Sequence, residues 1–255
     1  MLFTHTTYIG IDPTAGVRPF TYTALNNELE LLALGQGNMD EILAFVAGQR
    51  EAIVAVSSPS RPNQGIMQRS EVRDWLSPPP RPGRWMNFRL AEYQLRHHNI
   101  NIPQTRSSEV TCPGWMQKGF ALYRRLEELN YVPYPQENAA HQWIEVYPHA
   151  CYTTLLEQIP FTKHSLEGRI QRQLILFEEN VIVQDPMRIF DEITRHRMLK
   201  GVLSLESLYQ TEELEALVSA FTAQKAATQP DQVMLVGDPA EGLLTLPVPA
   251  LKTHY

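Results

Sequence analysis

Only two cysteines, Cys112 and Cys151, occur in 255 residues, too few for a disulfide framework and too far apart for a close pair of metal ligands. Both are expected to be reduced and structural. Long apolar runs are missing as well, since none approaches the roughly 18 residues needed to cross a bilayer. Residues 1–5 lack the charged and apolar regions of a signal peptide, so the chain is expected in the cytoplasm and away from membranes. Repeats and low-complexity tracts are absent. The histidines, including His97 and His98, follow no metal-ligand spacing. Neither Ser57 nor Cys112 lies in a Gly-x-Ser-x-Gly type of sequence, which argues against a serine or thiol hydrolase. Basic charge is in deficit: the net charge is −6, which argues against tight, indiscriminate binding to duplex nucleic acid.

The apolar content is not in deficit. At 43% hydrophobic residues the chain can bury a substantial core, and it is read as a single α/β domain over residues 1–255 with an insertion at residues 57–106. Residues 8–11, 20–25 and 29–34 read as short strands separated by Pro13, Gly16, Asn26 and Asn27, an antiparallel meander. Apolar residues at helical spacing predict a helix over 39–49, and the continuous run 53–56 predicts a strand buried on both faces. The stretch that follows is dense in proline, and only residues 87–97 look helical. Beyond it, the pattern predicts helices at 115–129, 166–178, 186–199 (closing at Gly201) and 212–227, and a strand at 143–147 ending at Pro148. A hairpin is expected to pair 232–236 with 243–246 across the turn of residues 237–242.

Three acids stand out. Asp12 follows the apolar run Tyr8-Ile9-Gly10-Ile11, so it sits where a strand ends, a position that suits a metal ligand and equally suits a solvated turn aspartate before Pro13. Glu145 alternates with apolar neighbours and shares a strand face with Trp143 and Tyr147, which points either to a hydrogen-bonded arginine or to a cation site. Glu215 lies one turn inside the last long helix, past the first-turn acids Glu212 and Glu213, which a cap at Thr211 and the helix dipole already explain. Ala216, Ala220 and Ala223 let that helix lie close to a sheet, bringing Glu215 towards the strand ends. Convergence of Asp12, Glu145 and Glu215 would give a hard oxygen site for Mg²⁺ or Mn²⁺, and a pair of such ions about 4 Å apart supports phosphodiester cleavage.

One region is basic. From Arg61 to Arg106 there are eight arginines against three acids, with Trp75, Trp85, Phe88 and Tyr93 interleaved. That mixture suits single-stranded nucleic acid, and it suits equally an irregular segment whose arginines bridge carboxylates elsewhere. Arg69, Arg73 and Arg169 are candidate phosphate ligands, with ordinary salt bridges as the alternative role for each. A nucleotide-binding kinase also opens with a Gly-x-Asp strand, but no second glycine-rich Asp-x-Gly motif follows here.

Five runs, in this order, carry a family resemblance: Gly10-Ile11-Asp12, Glu145-Val146-Tyr147-Pro148-His149-Ala150, Ser165-Leu166-Glu167-Gly168-Arg169, Glu213-Leu214-Glu215-Ala216-Leu217 and Gly237-Asp238-Pro239-Ala240-Glu241-Gly242. Together they resemble domain-of-unknown-function family 429, regarded as RNase H-like nucleases. The resemblance implies an RNase H-like α/β fold: a mixed five-stranded sheet flanked by helices, with an acid on the first strand and further acids on later strands and the last core helix. It implies that Asp12, Glu145 and Glu215 are the catalytic and metal-binding acids. The chain departs from the family pattern at Ser57, where an aspartate is usual, and at the final helix, where glutamates replace aspartates. The expected function is a nuclease dependent on carboxylate-bound Mg²⁺ or Mn²⁺, and the alternative is a non-catalytic RNase H-like module that binds nucleic acid or protein.

Overall fold

The structure is a computed structural model and describes residues 6–14, 16–76, 79–80, 83, 85–202 and 205–255. Arg81 and Arg84 of the basic region, Ala15 of the first turn and the signal-peptide reading of residues 1–5 lie outside the described residues.

The strands are β1 (Thr7–Asp12), β2 (Phe20–Leu25), β3 (Leu31–Gly37), β4 (Ala52–Val56), β5 (Val132–Pro133), β6 (His141–Glu145), β7 (Met234–Asp238) and β8 (Gly242–Leu246). Among the described residues they form one mixed sheet in the order β3-β2-β1-β4-β6-β8-β7, with β5 pairing β6. β1, β2 and β3 are the antiparallel meander, while β1, β4, β6 and β8 run parallel. The sheet therefore has eight strands, not the five expected. The five predicted strands are present, but the C-terminal hairpin docks on their edge through the Glu145↔Leu244 pair, and the two residues of β5 add a short strand.

The helices are α1 (Met39–Ala47), α2 (Ser70–Trp75), α3 (Leu90–His97), α4 (Gly114–Glu128), α5 (Pro148–Leu156), α6 (Leu166–Glu178), α7 (Arg188–Glu192), α8 (Arg195–Leu199) and α9 (Thr211–Thr228). None of the described helices is long and apolar enough to cross a membrane. Local chemistry explains their ends. Asn38 caps α1 by accepting from the backbone of Asp40 and Glu41 while Glu41 bonds back to the Asn38 amide, a capping box. The helix expected over 186–199 is instead two short ones, because Ile193 is extended and the Thr194 side chain accepts from Arg197 N–H to start a new helix. α5 was not predicted. Its signal is Pro148 itself, which follows β6 and occupies the first turn of the helix, where its missing N–H costs nothing.

Alternation along the strands divides the core in two. Tyr8, Ile53, Ala55, Ile144 and Val146 face α9, packing against Leu214, Leu217, Val218 and Phe221. Ile9, Ile11, Val54, Val56 and Trp143 face α1 and α4, against Ile42, Val46, Leu122, Tyr123 and Leu126. All five residues of β4 are buried, as a strand covered on both faces requires.

Gly10 fixes how closely α9 approaches. A Cβ at Gly10 would lie 1.9 Å from the Ala216 carbonyl oxygen and 2.6 Å from the Ala220 nitrogen, so backbone of strand and helix meet with no room for a methyl group. Neither backbone can move without disturbing both core layers. Gly10→Ala is therefore expected to destabilise the protein by about 3 kcal/mol, the upper part of the overpacking range. Urea unfolding of the two proteins measures this, and a loss below about 1 kcal/mol would show that the helix can retreat freely.

Candidate functional site

The close approach of α9 to β1 carries acids to the end of the strand. Gly10 and Asp12 share a strand face and are separated by roughly 6.6 Å, while one helical turn covers roughly 5.4 Å. With Ala216 over Gly10, the preceding turn of α9 comes level with Asp12. Glu212 and Glu215 on that turn line the same cavity as Asp12, a cleft of about 600 Å³. Its other walls include Ser57, Trp115, Tyr147, Phe161, Lys163 and Arg172.

Asp12 is 8% exposed. Burial first, then the nearby Glu215 charge, push its carboxyl up to about 8, with Glu212 adding to the rise and Lys163 and a hydrogen bond from the Thr14 backbone opposing it. The glutamates are partly neutralised from outside: Lys163 Nζ lies 2.6 Å from Glu215 Oε1 and Arg18 Nη1 lies 2.7 Å from Glu212 Oε1. Glu213 serves the capping box with Gln210, so the cap of α9 lies one residue before the expected cap at Thr211, which is instead the first helical residue. His149, also on the cavity wall, is driven down to about 4 by burial and by the charges of Arg172 and Lys163, so it is neutral at physiological pH.

Ser57 stands beside Asp12. Ile11 pairs with Val56, so the next residues, Asp12 and Ser57, are neighbours at the strand ends, and Ser57 N–H donates to the Ile11 carbonyl at 2.9 Å. The Ser57 and Ser219 hydroxyls are 2.9 Å apart, and Ser219 donates its proton to the Glu215 carbonyl at 2.7 Å. Ser57 must then donate to Ser219, which leaves its oxygen as an acceptor.

Glu145 is held apart from this group. It pairs with Val56, one residue out of step with Asp12, so its side chain emerges on the opposite face of the sheet with Trp143. There Arg89 grips it with both terminal nitrogens, Nη1 to Oε1 at 2.8 Å and Nη2 to Oε2 at 2.9 Å, and both residues are at most 2% exposed. Of the two roles open to Glu145, the structure displays the arginine pair. Ser60 N–H donates to the same carboxylate at 2.8 Å, and Arg89 Nη2 also donates to the Gly242 carbonyl. Gly242 has φ +99°, and a Cβ there would lie 2.2 Å from Ser60 Oγ. Among the described residues, no group of three or more His, Cys, Asp or Glu side chains is arranged to hold a metal ion.

The predicted phosphate-binding arginines do not line this cavity. Arg69 precedes and Arg73 belongs to the short α2, and Arg169 donates to the carbonyls of Tyr209 and Leu208 at 2.8 and 2.9 Å. Within the basic region Arg89 is consumed by Glu145, and Arg96 donates to the Ile102 carbonyl and stacks over Phe88. Trp85 packs with Phe88 and Tyr93, with ring centroids 5.3 and 5.5 Å apart. Two buried residues escaped the sequence reading. Glu241, in the hairpin turn, accepts from the backbone of Gln64, Ile66 and Leu90. Arg172 enters the cavity from α6 one turn beyond Arg169, a spacing that the amphipathic pattern of that helix contains.

An acid-lined cleft at the carboxyl ends of parallel strands is the usual ligand position of open α/β sheets. The chain belongs to the family described as a protein of unknown function, DUF429, which matches residues 44–241. Asp12 precedes the matched span, whereas Glu145 and Glu215 fall within it. Comparison with curated proteins found no match, and comparison with solved structures found none.

Two outcomes follow from this geometry. Arg89→Met leaves Glu145 buried without a counter-charge, and is expected to cost about 3–5 kcal/mol in urea unfolding, most of which Arg89→Met with Glu145→Met restores. Equal losses in the single and double variants would mean that charge compensation is not what the pair provides. For Asp12, the folded carboxyl holds its proton to about pH 8, whereas the unfolded one releases it near ~3.9. Stability in EDTA should therefore fall as pH rises through that window. Asp12→Asn should remove up to one proton from the slope; an unchanged slope would place the effect elsewhere, for instance on Glu92, which burial pushes up to about 7.

Proposed function

We propose that the cavity holds one divalent cation, Mg²⁺ or Mn²⁺, through Asp12 and Glu215 and hydrolyses a phosphodiester of single-stranded nucleic acid on an RNase H-like framework. The observation that carries this reading is that Asp12 and Glu215 line one cavity, where burial and then the Glu215 charge hold a proton on Asp12 to about pH 8. Such crowding is relieved by a cation between the acids. The donor set fits: Mg²⁺ is commonly held by one or two carboxylates, with water and substrate phosphate completing its shell. A bound cation would supply a Lewis acid that acidifies water and offsets phosphate charge. Lys163, paired with Glu215 at 2.6 Å, is placed to exchange its carboxylate for a substrate phosphate when the cation enters. Glu145, engaged at both oxygens by Arg89, acts in this reading as the brace beneath the site.

The core sheet order β3-β2-β1-β4-β6, with an acid at the end of the first strand and another on the last long helix, agrees with the RNase H-like layout. Trp115, Tyr147 and Phe161 on the walls offer surfaces on which unpaired bases stack. A second reading, a non-catalytic nucleic-acid-binding module, is favoured by Ser57, which puts a neutral hydroxyl beside Asp12 where the family pattern has an acid.

Calorimetric titration with Mn²⁺ tests the choice. Saturable binding is expected for the wild type, strengthening as pH rises towards about 8 because the metal displaces the Asp12 proton, and lost in Asp12→Asn. Absence of binding in both proteins, with or without an oligonucleotide, would remove the hydrolase reading; oligonucleotide binding retained without metal would then favour the module.

A further inference from the structure

The described chain buries two arginines with opposite circumstances. Arg89 has its charge matched by a bidentate carboxylate. Arg172 is 3% exposed and takes part in no ion pair among the described residues. Its Nη1 alone is committed, to the carbonyls of Phe161 and Gly168 at 2.8 and 2.9 Å, and its guanidinium carbon lies 5.4 Å from the centre of the Tyr152 ring. Those contacts fix the group in place without an ion pair, although the charge of Glu215, across the same cavity, is felt there. Neither Nε nor Nη2 is among the sealed, unpartnered polar atoms of the structure, and Arg172 lines the cavity, so the free side of the fork opens there. A buried cation without a counter-charge costs several kcal/mol unless an anion completes it.

We propose that this inner wall is a phosphate subsite: Arg172 receives, through Nε and Nη2, a phosphate of the bound strand other than the one attacked at Asp12 and Glu215. The inference deepens the reading given above and rests on it for the identity of the ligand as a nucleic-acid strand. The two planar donors match two phosphate oxygens in a fork, which a lysine cannot do. Lys163 and His149 stand on the same wall. Lys163 adds positive charge, and the neutral imidazole, for which the structure gives no hydrogen-bond partner among the described residues, adds one donor. Arg172 is itself almost fully buried, so a phosphate must enter the cavity to reach it, which favours a phosphate at the end of a single strand over the continuous backbone of a duplex. The substrate class is therefore a single strand carrying a terminal phosphate.

Binding is measured in EDTA, so that the result does not depend on the metal site. Inorganic phosphate should bind the wild type saturably, and a 5′- or 3′-phosphorylated dinucleotide should bind about tenfold or more tightly than its unphosphorylated counterpart, the contribution of one charge-assisted contact. Asp12→Asn should retain this binding. Arg172→Gln should lose it by about tenfold or more, with Arg172→Lys recovering only part. If the Arg172 variants do not fold, tungstate diffused into wild-type crystals gives the answer: an anomalous peak against the Arg172 guanidinium supports the subsite, and a peak elsewhere or none overturns it. Equal affinity for phosphorylated and unphosphorylated dinucleotides would also overturn it. Loss of Mn²⁺ binding with phosphate binding intact would sink the hydrolase reading while leaving the subsite standing.

Discussion

The pairing of Arg89 with Glu145 is the interaction on which the geometry at the strand ends depends. Glu145 closes β6, Arg89 stands at the start of α3, and their contacts reach the loop at Ser60 and the hairpin at Gly242. Around them two more buried glutamates are saturated by main chain: Glu241 by Gln64, Ile66 and Leu90, and Glu92 by Arg89 and Thr105. The segment after β4, rich in proline and short of regular structure, cannot satisfy its own amides in a helix or sheet, and these carboxylates accept them instead. One guanidinium among three carboxylates is an incomplete balance. Burial pushes the Glu92 carboxyl up to about 7 against the Arg89 charge and its own hydrogen bonds, and Arg89 Nε and Ser60 Oγ have no partner among the described residues. Replacement of such a network by apolar packing need not cost stability; what it provides here is a single position for the hairpin and the loop against β6.

The sheet separates this network from the cavity. Asp12 and Glu145 end parallel strands on either side of β4 with a one-residue offset against it, so the period of two puts them on opposite faces. As built, the compensated acid anchors the scaffold and the uncompensated one is left in the cleft with Glu215. Rigidity on one face and electrostatic tension on the other are consequences of the same register.

Much of the framework was legible because it follows local rules. The alternation of Tyr8 to Asp12, the unbroken apolar run of β4, and the stripe of α9 each specify an element and its buried face without reference to the rest of the chain. The alanine row of α9 also carried tertiary information, since its small side chains meet Gly10. Illegible features were those decided by non-local contacts. Nothing near Glu241 marks it as buried, because its partners come from residues 64, 66 and 90. Nothing near Glu145 distinguishes an arginine from a cation, because Arg89 is far away in sequence. Pro148, three residues past β6, conceals α5 in the sequence because proline signals the end of a strand as readily as the first turn of a helix.

Ser57 bears on how much charge the cleft can manage. A carboxylate there would join Asp12, Glu212 and Glu215 on this face and stand beside Asp12, whose own ionisation is already opposed by burial and by Glu215. With Ser57, whose proton is committed to Ser219, the position offers a lone pair without charge, and Lys163 offsets one of the remaining carboxylates. In the function proposed above, this charge balance suits one cation rather than two, and holding a polyanionic strand would fall to the cavity's own cations, among them Arg172, which is buried and in no ion pair among the described residues.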